Sequence, residues 1–375
     1  HARAASAPRL TGTDDDDEVR RHRFRSDAGL TRLVRVAFDL STVRLADAGV
    51  ARTARELVAA LSERDDLAVL RIGEGEQATG AARRALALRL DLEWSLRGAR
   101  SAARSAQCDV VHFPLPRGPI TPGRPATVVT VHDLAALRFP ETLSRWNRAY
   151  TRRTLPRVLA AADAVLAVSH DTAGDLAAWL PAVAPRIHVV PNGVAPFWFE
   201  SGGASDLGAP FVLAVGTPEP RKNLPRLVEA MRRRRAAGAP EILVHVGAHG
   251  WGGVRLPDEP WIRPMGRVDD AQLRALYHGC TAVAIPSLHE GSGLPALEAL
   301  AAGAPVVAAA RGALPETCGD AAILVDPLDA DAIASGIDEA ITARDRLVAA
   351  GRQRAEAATW TCSAAACAAV YRAIA

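Results

Sequence analysis

Two glutamates flank a predicted turn in the last third of the chain. The segment SLHEGSGLPALEALAAGAPVV, residues 287–307, contains Glu290 and Glu298, eight positions apart. Pro295 suits the first turn of a helix, where its missing N–H costs no hydrogen bond, so residues 291–294 are predicted to be a loop that leads into a helix. The free N–H groups and the dipole at such a helix start favour an anion, most commonly a phosphate.

Carboxylates on both sides of a phosphate-binding turn indicate the layout of the ligand. A carboxylate accepts hydrogen bonds from paired hydroxyls, and a nucleotide sugar carries a hexose on one side of its diphosphate and a ribose on the other. The plain alternative is a pair of solvated glutamates at a helix start. The glycines also match a dinucleotide fingerprint, but that interpretation requires an acidic residue after the next strand, where the sequence has Arg311. We therefore favour a nucleotide sugar over a nicotinamide dinucleotide.

Three further loops follow predicted strands and carry polar or small residues. Arg221 and Lys222 lie at the start of a predicted helix, where the dipole disfavours cations unless an anion is bound. They would neutralise a diphosphate and stabilise it as a leaving group. His132 could hydrogen-bond a sugar hydroxyl or the leaving phosphate, although a single histidine is as often structural. Gly49 opens the first helix and would let a phosphate approach the backbone.

Short apolar runs alternate with Ala- and Leu-rich stretches along most of the chain, the pattern of a parallel sheet covered by helices on both faces. The predicted strands are 33–39, 67–72, 109–113, 126–131, 164–168, 186–190, 211–216, 241–246, 281–286, 305–309 and 322–325. The predicted helices are 50–61, 144–162, 171–180, 224–236, 270–279, 294–302, 329–342 and the C-terminal segment to 375. Ligands of open parallel sheets bind outside the carboxyl ends of the strands, so these loops are expected to face a common cleft.

A Gly- and Ser-rich segment interrupts the alternation and predicts two domains. The expected organisation is a flexible charged leader over residues 1–30, an N-terminal Rossmann-like domain over 31–197, a linker over 198–210 and a C-terminal Rossmann-like domain over 211–360.

Composition excludes several classes of protein. Apolar residues make up 49% and charged residues 23% of the 375 residues, as in soluble globular proteins. A net charge of +3 is too small for general nucleic-acid binding. The five cysteines contain no CxxC pair and predict neither a zinc site nor a disulfide framework. The sequence contains no run of 18 apolar residues, so no membrane span is predicted.

The four loops together resemble those of the retaining glycosyltransferases of family 4, which have the GT-B fold. The matching segments are 49–52, 130–133, 168–169, 190–193, 215–223, 286–298, 303–306, 324–327 and 360–371. The E-x7-E block of Glu290 and Glu298 is the most specific of them. The resemblance implies two doubly wound α/β domains that face a central cleft, the first binding the acceptor and the second the nucleotide sugar. A C-terminal helix, 361–375, would cross back to the first domain.

The resemblance also implies roles for individual residues. Glu298 would hold the ribose hydroxyls, Glu290 would hold hydroxyls of the transferred sugar, and His132 would lie beside that sugar. The expected donor-binding residues are Gly49, Gly216, Thr217, Arg221, Lys222, Gly291, Ser292, Gly293, Leu294 and Glu298. The expected catalytic residues are Glu290, His132, Arg221 and Lys222. Many family members have an Arg at the position of Thr217 and an aromatic residue at that of Ser292, so the phosphate role rests more on Arg221 and Lys222.

The implied reaction is retaining transfer of a hexosyl group from a nucleotide-diphosphate sugar to a saccharide or lipid-linked acceptor, without cofactor or metal. GDP-mannose is the first donor candidate, because residues 216–223 resemble mannosyltransferases of surface polysaccharides; UDP- and dTDP-sugars follow. A nucleotide-sugar epimerase of the same fold and a non-catalytic nucleotide-sugar-binding protein are the alternatives.

The protein is expected to be cytoplasmic. A basic segment with aromatic residues runs from Arg145 to Arg153. Such a surface can contact the inner face of the cell membrane, with an ordinary solvated helix face as the alternative.

Overall fold

A computed structural model describes residues 33–45, 48–75, 97–139, 151–248 and 252–375, together with residues 86, 89, 90 and 250. Residues 34–375 belong to one compact unit that contains two sheets. The expected leader, residues 1–30, and most of the basic segment that begins at Arg145 lie outside the described residues. Among the described residues, no helix is both long and apolar enough to cross a membrane.

The first half of the molecule is built on a six-stranded sheet with the order β2-β1-β3-β4-β5-β6. Its strands are β1 Val34–Asp39, β2 Leu67–Ile72, β3 Val110–Phe113, β4 Ala126–Val131, β5 Ala164–Ala167 and β6 Ile187–Val189, and every pairing is parallel. Its helices are α1 Ala48–Ser62, α2 Ala99–Ser105, α3 Ala135–Arg138, α4 Leu155–Ala161 and α5 His170–Trp179. The central strands are fully buried, as expected for a sheet with helices on both faces.

The second half is built on another six-stranded parallel sheet, with the order β12-β11-β10-β7-β8-β9. Its strands are β7 Phe211–Val215, β8 Ile242–Val246, β9 Ile262–Gly266, β10 Ala282–Ile285, β11 Val306–Ala309 and β12 Ala322–Val325. Its helices are α6 Leu224–Ala236, α7 Asp270–Gly279, α8 Leu294–Ala301, α9 Leu314–Cys318, α10 Ala330–Thr342 and α11 Arg344–Glu356, and α12 Trp360–Ile374 ends the chain.

The predicted α/β class with two doubly wound parallel sheets is confirmed. Strand β9 was missed because its sequence, IRPMG, contains a proline and few β-formers. It lies at the edge of the sheet with four of its five residues exposed, where proline costs no ladder hydrogen bond. The strand order reverses between β1 and β3 and again between β7 and β10, and such a switch point opens a crevice for a ligand.

The last helix packs on the first half, as the resemblance implied. Ala364, Cys367 and Tyr371 of α12 are buried in the same core cluster as β1 and α1. The Tyr371 hydroxyl lies 2.6 Å from Nδ1 of the buried His112, whose Nε2 is 2.7 Å from the Thr130 hydroxyl. Burial lowers the pKa of His112 to about 3, so the ring stays neutral and the network joins α12 to β3 and β4.

The two connections between the halves run side by side. The Val194 N–H donates to the Ala358 carbonyl at 2.9 Å, and Val194 forms an isolated parallel bridge with Thr359. A Cβ atom on the neighbouring Gly193 would lie 2.2 Å from the backbone nitrogen of Trp360. Only glycine therefore lets the outgoing and returning segments approach this closely.

The substitution Gly193→Ala tests this crossing. The added methyl group would meet backbone rather than a movable side chain, so we expect a loss of about 1–3 kcal/mol in the free energy of unfolding, measured by urea denaturation. Gly203→Ala is the matched control, because no atom lies within 4 Å of the position that its Cβ would take. Equal stability of the two variants would contradict the tight crossing.

Candidate active site

The loops after β7 and β10 meet at the switch point of the second sheet. The Leu288 N–H donates to the Arg221 carbonyl at 2.8 Å, and the Asn223 side-chain amide donates to the Pro286 carbonyl at 3.0 Å. The chain adopts a short 3-10 helix at Pro220–Lys222 before α6 begins. These bonds hold the predicted phosphate-binding cations against the strand end that precedes Glu290.

Glu290 lies between two cations. Its side chain is 7% exposed; Lys222 Nζ donates to Oε1 at 2.7 Å and Arg221 Nη1 donates to Oε2 at 3.0 Å. Arg221 also donates to the carboxylate of Glu219 at 2.5 Å and to the carbonyl of His289 at 2.8 Å. Glu290, expected to hold hydroxyls of the transferred sugar, and both predicted phosphate cations therefore form one ion-paired cluster, a pairing that their positions in the sequence did not predict.

This cluster holds Glu290 in its charged form. Burial alone would raise the pKa of its carboxyl group, but Lys222 and then Arg221 outweigh burial and lower the pKa to about 2. For Arg221, burial would disfavour the charged guanidinium and lower the pKa, but the carboxylates of Glu290 and Glu219 outweigh burial and raise the pKa. The site therefore presents fixed charges of both signs at neutral pH.

The glycine turn lies against the first half. A Cβ atom on Gly291 would be 1.8 Å from the carbonyl oxygen of His132. The Thr172 hydroxyl donates to the Gly291 carbonyl at 3.4 Å, and the Asn192 amide donates to the Ser292 hydroxyl at 2.9 Å. The structure thus brings the turn, His132 and the strand-end loops of the first half together, as the common cleft required.

His132 is half-buried and fixed in one tautomer. Its Nε2–H donates to the Pro114 carbonyl at 2.8 Å, so Nδ1 carries the lone pair while the ring is neutral. Burial lowers the pKa of His132 more than the Pro114 carbonyl and Asp133 raise it. A neutral ring of this kind can accept a hydrogen bond from a sugar hydroxyl.

Glu298 lies in α8 beyond the turn and is 6% exposed. Its Oε1 accepts a hydrogen bond from Arg52 Nη1 at 2.6 Å. Burial raises the pKa of Glu298 to about 7, while Arg52 opposes this effect. Arg52 falls in the segment 49–52 that resembles a family motif, but its contact with Glu298 was not predicted, because the two residues lie 246 positions apart.

The remaining predicted donor-binding residues surround the same loops. Gly216 and Thr217 are half-buried at the end of β7, and the Gly216 carbonyl lies 2.8 Å from His245 Nε2. Gly293 has a φ of 66° and precedes Leu294, the first residue of α8. Gly49 lies near the start of α1 and is exposed, with no atom within 4 Å of the position of a Cβ.

One group of side chains in the described part of the chain has metal-ligand spacing. The ligand atoms of Asp171, Asp175 and His289 lie within 4.8 Å of one another, and neither ring nitrogen of the buried His289 has a hydrogen-bond partner. However, Arg138 forms a two-point ion pair with Asp175, and its positive charge opposes a cation there. The absence of a metal from the reaction stays a prediction.

Comparison with known proteins identifies the family. A family model described as Glycosyltransferase Family 4 matches residues 48–196, and one described as Glycosyl transferases group 1 matches residues 209–343. The MMP alpha-(1->4)-mannosyltransferase of Mycolicibacterium hassiacum is 31% identical in an alignment of 309 positions that covers 74% of this chain and 74% of that protein. The chain belongs to glycosyltransferase family 4. The resemblance inferred from the loops is thereby confirmed.

Other relatives of this family 4 glycosyltransferase agree with that placement. The O-antigen chain mannosyltransferase B of Escherichia coli is 30% identical in an alignment of 258 positions that covers 62% of this chain and 66% of that protein. Sucrose-phosphate synthase from Thermosynechococcus elongatus has a similar structure, with a TM-score of 0.67, 20% identity and coverage of 91% of this chain and 98% of that one. The structure of Anabaena HepE in complex with UDP-glucose has a TM-score of 0.60 and 18% identity, and the match covers 86% of this chain and 94% of that one. These structures confirm the expected GT-B fold.

The pH dependence of stability tests the Glu290 cluster in this glycosyltransferase. Because the folded-state pKa is lowered from 4.5 to about 2, the ion pairs stabilise the fold above pH 4.5 and are lost as the pH falls towards 2. We expect Glu290→Gln to reduce the free energy of unfolding by about 3 kcal/mol at pH 7, from about 1.4 kcal/mol per pKa unit. The difference from wild type should shrink steadily below pH 4.5.

The control for this measurement is Glu339→Gln, since Glu339 is exposed on α10. Urea denaturation of the three proteins between pH 3 and pH 7 supplies the comparison. A Glu290→Gln variant as stable as the control at pH 7 would show that the carboxylate is not held by Arg221 and Lys222 in solution.

Proposed function

We propose that this family 4 glycosyltransferase moves a hexosyl group from a nucleotide-diphosphate sugar to a hydroxyl of a saccharide or lipid-linked acceptor, with retention at the anomeric carbon and without a metal ion. The observation that carries the proposal is the contact of Glu290 with Arg221 and Lys222 beside the glycine turn. Two fixed cations and a carboxylate that could bind hydroxyls then lie close enough together to contact the same ligand. That layout suits a sugar joined to a diphosphate.

Lys222 is the better placed of the two cations for the diphosphate. An ammonium group has three N–H donors, and the one hydrogen bond that Lys222 makes through Nζ within the described residues goes to Glu290. Arg221 instead divides its donors among Glu290, Glu219 and the His289 carbonyl. Arg221 would therefore orient Glu290, and Lys222 would reach a phosphate oxygen while still paired with Glu290.

The proposed reaction proceeds on one face of the sugar. The bond between the anomeric carbon and the diphosphate oxygen breaks, and Lys222 stabilises the charge that develops on the leaving group. The acceptor oxygen bonds to the same face, and its proton passes to an oxygen of the departing phosphate. Glu290 would hold sugar hydroxyls rather than attack the anomeric carbon, since both of its oxygens already accept hydrogen bonds from cations.

GDP-mannose is the first donor to test. Two relatives, from Escherichia coli and Mycolicibacterium hassiacum, are named as mannosyltransferases, and the latter aligns with 74% of this chain. The HepE structure contains UDP-glucose, which makes a uridine nucleotide the second candidate. An acceptor would enter from the first half, where His132 lies beside the turn.

A transfer assay tests the proposal. Wild-type protein is incubated with GDP-mannose, UDP-glucose or dTDP-glucose and a mannose-terminated glycolipid or oligosaccharide, and the anomeric configuration of the product is read by NMR. We expect transfer with retention and equal rates with and without EDTA. An epimerase would alter the donor without acceptor, and a binding protein would leave both unchanged, so either result would contradict transfer.

Two variants separate the roles within the cluster. Lys222→Gln is expected to lower the rate of transfer by about 100-fold, the cost of removing one charge-stabilising donor, and Glu290→Gln is expected to be at least as severe. Arg226→Gln, an exposed residue of α6, should transfer at the wild-type rate. Full activity of a folded Glu290→Gln protein would refute its assignment to the sugar.

A further inference from the structure

Arg52 is a residue of the first half that reaches into the second-half site. It lies in the second turn of α1, and its guanidinium donates to Glu298 Oε1 at 2.6 Å and, through the other terminal nitrogen, to Asp270 of α7. The guanidinium carbon also lies 5.5 Å from the ring centre of Trp198. Two carboxylates and an aromatic face therefore fix the position of this one side chain.

Glu298 depends on Arg52 for its counter-charge. The Glu298 side chain is 7% exposed, and its only ion pair within the described part of the chain is with Arg52. The Tyr277 hydroxyl is 3.5 Å from Oε2. A carboxylate that is removed from water without a nearby cation takes up a proton instead. The positive charge that compensates Glu298 therefore comes from the first half of the molecule.

Arg52 engages only one of the two oxygens. Its second terminal nitrogen is directed to Asp270, so Oε2 of Glu298 keeps most of its capacity to accept hydrogen bonds. An ionised carboxylate offers about four lone-pair positions, whereas a protonated carboxyl converts one oxygen into a donor. A vicinal diol has two O–H donors, and the ionised form therefore binds it better than the neutral form.

We propose that Arg52 is a positioning residue that favours the ionised form of Glu298 and orients it for the ribose diol of the nucleotide donor, so that the first half completes the ribose subsite of the second. The inference rests on the proposed function, because it takes Glu298 as the ribose-binding carboxylate. Arg52 would influence ribose binding through Glu298 without itself contacting the nucleotide.

The ionisable groups around the pair set the direction of the pH effect. Burial is the largest cause that raises the pKa of Glu298 to about 7, Asp270 adds to it, and Arg52 opposes it most strongly. Tyr277 on α7 and Glu56 on α1 are further ionisable side chains near the pair. Loss of the Arg52 charge moves the pKa of Glu298 above 7 and leaves the carboxyl group protonated at neutral pH.

The first experiment compares ribose with dideoxyribose. Binding of GDP, UDP and their 2′,3′-dideoxy analogues is measured by calorimetry from pH 6 to pH 8.5. The ratio of the two affinities isolates the diol, because the phosphates and the base titrate alike in both ligands. In wild-type protein this ratio should rise with a midpoint near the Glu298 pKa of about 7.

Arg52→Gln should shift that midpoint upward by at least about one pH unit and lower the ribose preference at least about fivefold at pH 7. Dideoxy affinity should be unchanged, and Arg52→Lys, which retains a positive charge, should keep most of the wild-type ratio. Arg55→Gln is the matched control, since Arg55 is exposed on the same helix. An unchanged or increased ribose preference in Arg52→Gln, or an equal loss at every pH or with both ligands, would overturn the inference.

A double-mutant cycle without any nucleotide separates this inference from the proposed function. Arg52→Gln, Glu298→Gln and the double variant are unfolded in urea at pH 8, and a coupling of about tenfold in the unfolding equilibrium constant is expected, equivalent to about 1.4 kcal/mol. Coupling below twofold would refute the ion pair itself. Failure of wild type to bind any nucleoside diphosphate would refute the proposed function, whereas normal binding with no effect of Arg52→Gln would refute this inference alone.

Discussion

The candidate site depends on one buried cluster of opposite charges at the switch point of the second sheet. Glu290 is nearly inaccessible to water, and a buried carboxylate is costly unless cations and hydrogen bonds compensate it. Lys222 and Arg221 supply that compensation from the neighbouring loop. The two loops are neighbours only because β7 and β10 pair in the sheet, although α6, β8, β9 and α7 separate these strands in sequence.

Much of the fold follows from local sequence, because buried parallel strands are apolar along their whole length and helices between them are rich in Ala and Leu. The chain reversal after α8 and the glycine turn before it were also predictable, since proline and glycine act locally. Strand β9 was not, because an edge strand needs neither a continuous apolar run nor all of its N–H groups, and its Pro264 masks it.

The candidate site was less predictable from local sequence than the fold. Residue types and their positions at strand ends identified Glu290, Glu298, Arg221, Lys222 and His132 as candidates, and the structure brings them to one region. Which charges pair could not be predicted, because pairing depends on strand order and on how the halves meet. The contact between Arg52 and Glu298 joins α1 to α8, and no local pattern in either helix contains that information.

The paired connections at Val194 and Thr359 have a mechanical consequence. Two connections that cross between the halves at well-separated points would restrict rotation of one half against the other. Two connections that cross side by side restrict that rotation much less. The hydrogen bond between Val194 and Ala358 joins the two connections to each other, and both residues pack on the core of the second half. Rotation about this crossing is therefore the relative motion of the halves that the paired connections restrict least.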